Sequence, residues 1–211
     1  METKNIKLKT VIVSACSVIL LDLILGDLFP KGIFLPIVLL GIIRMVEIFL
    51  FLLIVLKIEN SLSSIGLAKE TIIPGIKKGA IWSVSFGLIV AVAFSLMFFS
   101  GIDPLKLIES RLPRDQIELI CFFLVGGIIG PVAEEIFFRG IIYGFFRKYG
   151  AVAAILLSTM VFAAFHLFGA GIPVTQIIGG LLFALSYEME KNLLVPMVIH
   201  ISGNLAIFLL G

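Results

Sequence analysis

Charged side chains are scarce in this chain of 211 residues, of which Asp, Glu, Lys and Arg make up only 14%. A soluble domain carries about a quarter charged residues. Here 60% of the residues are hydrophobic and the mean hydropathy is +1.21. The composition therefore excludes an ordinary soluble domain and predicts an integral membrane protein. The formal net charge of +2 argues against nucleic acid as a partner.

Cysteine and histidine are rarer still, with two residues of each type. Cys16 and Cys121 both lie in apolar segments, so they indicate neither a disulfide framework nor a zinc knuckle. His166 and His200 also lie within apolar runs. A polar side chain is costly in a membrane, so each histidine needs a functional or structural reason.

Long apolar runs are abundant, and a helix that spans a bilayer needs about 20 such residues. We therefore predict an all-α, polytopic membrane helix bundle with about seven spans, between six and eight. The candidate spans are 10–29, 34–56, 79–100, 117–147, 151–169, 174–188 and 193–210.

The run 117–147 is too long for one straight span, since a helix rises about 1.5 Å per residue. It contains several glycines and Pro131, which predict a kinked or broken helix near Pro131, with a new helix starting there. Glu134 and Glu135 would then lie in the first turn, near the positive end of the helix dipole.

The basic residues outside the spans fall mostly on one side if seven spans alternate; Lys7, Lys57 and Lys148 are examples. The positive-inside rule then predicts a cytoplasmic N-terminus, with Gly211 on the other side. The first apolar run is long and has no signal-peptidase motif, so we expect a retained span. The polar segment 57–78 is expected to lie at the membrane surface.

Polar side chains in the apolar runs have helical spacing. Glu135 and Arg139 are four residues apart, so they share a helix face and are predicted to pair. Glu134 points about 100° away from Glu135 and stays available as a general base. His200 and Asn204, also four residues apart, share one face of the last helix.

Phe162 and His166 have the same spacing on the helix 151–169. At about 1.5 Å per residue, Glu134 and His166 lie at similar depths below the cytoplasmic ends of their helices. One carboxylate, two imidazoles and one amide are therefore expected to converge between three helices.

Two hydrolytic chemistries fit these side chains. In the first, Glu134 takes a proton from water that His166 orients, while His200 and Asn204 donate to the developing oxyanion. In the second, the two histidines and a glutamate bind zinc, and the metal activates the water. The chain has no His-Glu-x-x-His motif, which is the most specific zinc signature, and the sequence leaves both chemistries open.

Three other interpretations compete with a hydrolase. The glutamates and histidines could serve as the relay of a proton-coupled transporter, although the chain has few spans and no paired half-helices. They could belong to a non-catalytic membrane protein that binds a partner. They could also form a structural ion network, which is the interpretation we prefer for Arg44 and Glu47, three residues apart in one span.

The motifs taken together resemble those of one family. Glu-Glu-x-x-x-Arg at 134–139, Phe-x-x-x-His at 162–166 and His-x-x-x-Asn at 200–204 are similar to the CAAX prenyl protease and bacteriocin-processing (CPBP, or Abi) family. Its members are intramembrane endopeptidases related to the type II CAAX prenyl endopeptidase. The similarity runs from about 117 to 207, so residues 117–211 would form the catalytic core and residues 1–116 the N-terminal helices and surface loops.

The resemblance implies a role for each residue of the motifs. Glu134 would be the catalytic base, His166 its partner on the water, and His200 with Asn204 the oxyanion site. The supporting residues would be Glu135, Arg139 and Phe162. The cofactor stays open between none and zinc, for which Glu134, His166 and His200 are the candidate ligands.

The resemblance also implies the partners. The substrate would be a membrane-associated protein or peptide, processed at a CAAX-type or a leader-peptide site, in the lipid bilayer. The expected location is the cell membrane of a prokaryote.

Overall fold

The computed structural model describes residues 5–26, 34–108, 112–167 and 173–210. In these residues it contains seven helices longer than ten residues and no strand. The helices are α1 (Leu8–Gly26), α2 (Phe34–Glu59), α3 (Ile72–Phe99), α4 (Gln116–Tyr149), α5 (Ala151–Ala164), α6 (Val174–Glu190) and α7 (Leu194–Leu210). Short 3₁₀ turns occupy Leu62–Ile65, Lys69–Thr71 and Pro104–Leu107.

The prediction of an all-α membrane bundle is confirmed. Three helical stretches are long and apolar enough to cross a membrane, at Pro36–Glu59, Leu62–Phe99 and Gln116–Tyr149. Shorter apolar helices occur at Leu8–Leu21, Ala151–Ala164 and Leu194–Leu210. The predicted span ends at 29 and 169, and Gly211, lie outside the described residues.

The irregularity predicted near Pro131 is present as π-helical geometry. Val125–Ile129 and Ile136–Tyr143 are π-helical, and Gly130–Glu135 between them is α-helical with Pro131 in its first turn. Two details of the prediction were wrong. The helix does not restart at Pro131, because the preceding residues are helical too, and the glutamates therefore do not lie at a free helix N-terminus.

The segment 57–78 also differs from the prediction in its second half. Two 3₁₀ turns follow α2, and α3 already begins at Ile72 instead of 79. Residues 72–78 are therefore the first turns of a long helix, and their location at the membrane surface stays a prediction.

Helix α4 forms the centre of the bundle. It packs against α1, α2, α5, α6 and α7, and every residue from Ile136 to Tyr143 is buried. Lipid is as apolar as these side chains, so close packing and hydrogen bonds must hold the helices together. Glycines allow close contacts between helices: a Cβ on Gly127 would lie 2.7 Å from Leu205, and one on Gly144 would lie 2.6 Å from Ile6.

The predicted cytoplasmic ends of the helices meet at one end of the bundle. The backbone N–H of Lys7 donates to Glu59 at 2.9 Å, and Ile6 donates to the carbonyl of Gly144 at 3.3 Å. Lys78 pairs with Glu190 across α3 and α6. These contacts thus join residues that alternating spans would place on the same side of the membrane.

Helix α3 offers a test of this packing, because its glycines have different surroundings. A Cβ on Gly79 would lie 2.7 Å from the Cβ of Val198 on α7, whereas one on Gly87 would meet no atom within 4 Å. We expect Gly79→Ala to lower the free energy of unfolding by about 1–3 kcal/mol, because the helices must move apart.

The matched variant Gly87→Ala should leave that free energy unchanged or raise it by up to about 1 kcal/mol, because alanine favours a helix. Unfolding in mixed micelles measures both. Equal effects of the two substitutions would show that α3 does not pack on α7 through Gly79.

Candidate active site

A buried ion network on α4 organises the site. Arg139 donates from Nη1 to Glu135 Oε1 at 3.0 Å, and both side chains are fully buried. This confirms the pair predicted from their spacing. Arg139 Nη2 also donates to the carbonyl oxygen of Gly180 on α6, at 3.2 Å. The guanidinium thus fixes the carboxylate and links α4 to α6.

His200 reaches this network from α7. Its Nδ1 lies 2.8 Å from Glu135 Oε1, the oxygen that also accepts from Arg139. A carboxylate in an ion pair is an acceptor, so Nδ1 carries the hydrogen and donates it. The ring stacks on Phe183, with centroids 4.5 Å apart and planes inclined by 20°. The tautomer and the orientation of His200 are therefore both determined.

Glu134 lies on the other side of the His200 ring. Its Oε2 is 3.8 Å from His200 Nε2. Its side chain is 20% exposed, whereas that of Glu135 is fully buried. The adjacent carboxylates therefore differ as their angular separation predicts: Glu135 is held by Arg139 and His200, and Glu134 remains accessible.

Phe162 connects His166 to this cluster. His166 Nδ1 lies 2.8 Å from the carbonyl oxygen of Phe162, and their rings are 4.6 Å apart. A carbonyl can only accept, so Nδ1 is the donor and Nε2 is left without a hydrogen in the neutral ring. The ring of Phe162 also lies 4.5 Å from the guanidinium carbon of Arg139 and 5.9 Å from the His200 ring.

The side chain of Asn204 contacts the backbone of α4. Its Nδ2 donates to the carbonyl oxygen of Gly126 at 2.8 Å, inside the first π-helical segment. The predicted site residues of α7 therefore touch α4 on both sides of Pro131, His200 at Glu135 and Asn204 at Gly126.

Three contributors escaped the sequence analysis. They are the Phe183 ring under His200, the Gly180 carbonyl on Arg139 and the Gly126 carbonyl on Asn204. Two of these contacts are made by backbone carbonyls of glycines. The sequence therefore shows only that these positions have no side chain. At Gly180 that absence matters, because a Cβ would lie 3.0 Å from Thr159 and 3.2 Å from Phe162.

The sequence leaves zinc open as a cofactor, with Glu134, His166 and His200 as candidate ligands. Among the described residues, no group of three or more His, Cys, Asp and Glu side chains is arranged to hold a metal ion. We derive no step through a metal, and zinc binding by these three residues stays a prediction.

An apolar groove borders the same part of α4. It has a volume of about 530 Å³ and lies between α2 and α4. Val125 and Ile129 of the first π-helical segment line it, opposite Ile42 and Phe49 of α2. The groove brings an apolar surface next to the turn that carries Gly126.

Comparison with known proteins points to one family. The family model described as type II CAAX prenyl endopeptidase Rce1-like matches residues 116–206. The chain is also 29% identical over 168 residues to the membrane-embedded CAAX protease MroQ of Staphylococcus aureus (strain USA300). That alignment covers 72% of this chain and 65% of the relative, so the chain spans slightly less than two thirds of the relative's length. No solved structure matches significantly.

The matched residues include all three motifs, at 134–139, 162–166 and 200–204. They therefore cover the ion network, both histidines and Asn204. On these matches, residues 116–206 resemble the type II CAAX prenyl endopeptidases, and the chain is similar to a membrane-embedded CAAX protease.

Proposed function

We propose that this chain is an intramembrane endopeptidase that hydrolyses a peptide bond in a membrane-associated protein or peptide. The observation that carries the proposal is the unequal pair of glutamates. Glu135 is fixed by Arg139 and His200, while Glu134 is partly exposed 3.8 Å from the same histidine. A purely structural ion network has no need of the second, accessible carboxylate.

In the proposed reaction Glu134 is the general base. It takes a proton from a water molecule, and the oxygen attacks the carbonyl carbon of the peptide bond. His166 orients that water through its Nε2, because its Nδ1 is engaged by the Phe162 carbonyl. Glu134 then returns the proton to the leaving amine as the carbon–nitrogen bond breaks.

His200 stabilises the oxyanion that forms in this step. Its Nδ1 donates to Glu135, so only a doubly protonated ring can donate from Nε2. The carboxylate of Glu135 lies 2.8 Å from Nδ1 and that of Glu134 lies 3.8 Å from Nε2. The Asn204 amide gives one N–H to Gly126 and has a second for the oxyanion.

We propose glutamate-dependent hydrolysis, since no step above requires a metal. The substrate segment next to the cleaved bond would be apolar, because the groove between α2 and α4 offers it an apolar surface. The sequence of that segment would decide whether the cleavage site in the substrate is of the CAAX or the leader-peptide type. We place the protein in the cell membrane of a prokaryote with its N-terminus in the cytoplasm, following the positive-inside rule.

Substitution of the histidines tests the assignment of roles. We expect His166→Ala and His200→Ala each to lower kcat by about 100-fold, because each removes a contact to the reacting water or the oxyanion. Cleavage of membrane peptides by purified protein in liposomes measures this. A kcat within twofold of wild type for either variant would remove that histidine from the mechanism.

Metal removal separates the two hydrolytic chemistries. If the hydrolysis depends on Glu134 and not on a metal, the active protein should contain far less than one zinc ion per chain. It should also keep its full activity after dialysis against a chelator. Elemental analysis of the same active sample supplies the stoichiometry. Loss of activity on chelation, with recovery on adding zinc alone, would contradict the glutamate-dependent reaction.

A further inference from the structure

Pro131 removes one donor from the backbone hydrogen bonds of α4. A proline has no backbone N–H, so a helical carbonyl on the preceding turn loses its donor. The turn before Pro131 is π-helical, and Gly130 donates to the carbonyl of Val125, five residues back. In the same pattern, the N–H of residue 131 would donate to the carbonyl of Gly126.

The carbonyl of Gly126 has a donor from another helix. Asn204 Nδ2 on α7 donates to it at 2.8 Å. Space for the approach is provided by neighbouring glycines: a Cβ on Gly127 would lie 2.7 Å from Leu205, the residue after Asn204. The carbonyl that the proline leaves without a helical partner is thus satisfied by the amide.

We propose that Asn204 is a positioning residue that replaces the missing N–H of Pro131 and so holds the turn carrying Glu134. Gly126 is partly buried in an apolar helix, where a carbonyl without a donor is costly, and the π-helical turn would rearrange to find one. Glu134 lies three residues after Pro131 and would move with it, relative to His200 on α7. The catalytic effect of this role rests on the proposed function, in which Glu134 is the general base.

A double-mutant cycle tests the proposal, because Pro131→Ala restores an N–H at position 131. We expect Asn204→Ala to lower kcat roughly 100-fold in the wild-type background, since a small misplacement of the base is sufficient for such a loss. In the Pro131→Ala background the same substitution should lower kcat only about tenfold, the part due to the second N–H. An equal fold-loss in both backgrounds overturns the proposal.

The thermal midpoint gives a readout that needs no activity. Asn204→Ala should lower Tm by roughly 2–10 °C in the wild type, and by less in the Pro131→Ala background. Asn192→Ala is the matched control, because its amide donates to the Thr71 carbonyl at 2.7 Å, away from Pro131. Its effect on Tm should be the same in both backgrounds. Equal effects of Asn204→Ala in the two backgrounds overturn the proposal.

Two further outcomes are distinguishable. If the wild type cleaves no peptide, the proposed function fails, while the Tm cycle still decides the role of the amide. If Pro131→Ala does not fold, Asn204→Leu provides the test, because it keeps the side-chain volume but removes both N–H groups. A Tm lower than that of the wild type supports the proposal, and an unchanged Tm overturns it.

Discussion

Glu134→Gln is expected to lower kcat by about 10²–10⁴-fold while the protein stays folded. Glutamine keeps the size of the side chain but cannot accept a proton from water. The side chain is 20% exposed and is not part of the Glu135–Arg139 ion pair, so its neutralisation should leave Tm within a few degrees. Peptide cleavage in liposomes and a thermal melt of the same sample measure the two effects.

Glu118→Gln is the matched control for this prediction. Glu118 lies in the first turn of the same helix and is partly exposed. Glu118 is not part of the candidate active site, so the substitution should change neither kcat nor Tm. If Glu134→Gln keeps more than half of the wild-type kcat, Glu134 is not the base.

Arg139→Met is expected to have the largest effect on stability. It removes the positive charge from Glu135 and leaves a fully buried carboxylate whose remaining partner is His200. Breaking a buried ion pair on one side costs about 3–5 kcal/mol. Equilibrium unfolding in mixed micelles measures the loss, and kcat should fall as well because Glu135 no longer orients His200.

Arg147→Met is the corresponding control on the same helix. Arg147 pairs with Glu188 at 2.8 Å, but a third of its side chain is exposed. An exposed pair contributes at most about 1 kcal/mol. The double variant Glu135→Gln/Arg139→Met should recover part of the lost stability, since no charge is left unpaired, but none of the activity. A loss for Arg139→Met no larger than that for Arg147→Met would contradict the central role of the buried pair.

Contacts within one helix could be predicted from the sequence. The spacing of Glu135 and Arg139 places them on one face, and their ion pair follows from that geometry alone. The same spacing separates Glu134 from Glu135. The number of long helices could also be predicted, because apolar runs and their breaks depend on local composition.

Contacts between helices could not be predicted in the same way. The stacking of Phe183 on His200 and the donation from Arg139 to the Gly180 carbonyl depend on how the helices cross. The π-helical geometry on both sides of Glu134 was missed for a related reason. π turns are rare single-turn features of α-helices, and the first one is contacted from another helix, where Asn204 donates to the Gly126 carbonyl.

Hydrolysis by Glu134 is the central claim, and its products test it most directly. Membranes from cells that produce the wild-type chain or its Glu134→Gln variant can be incubated in water enriched in ¹⁸O, and new peptide termini identified by mass spectrometry. We predict a set of new carboxyl termini that carry ¹⁸O and occur only with the wild type. Identical termini in the two membranes would contradict the account.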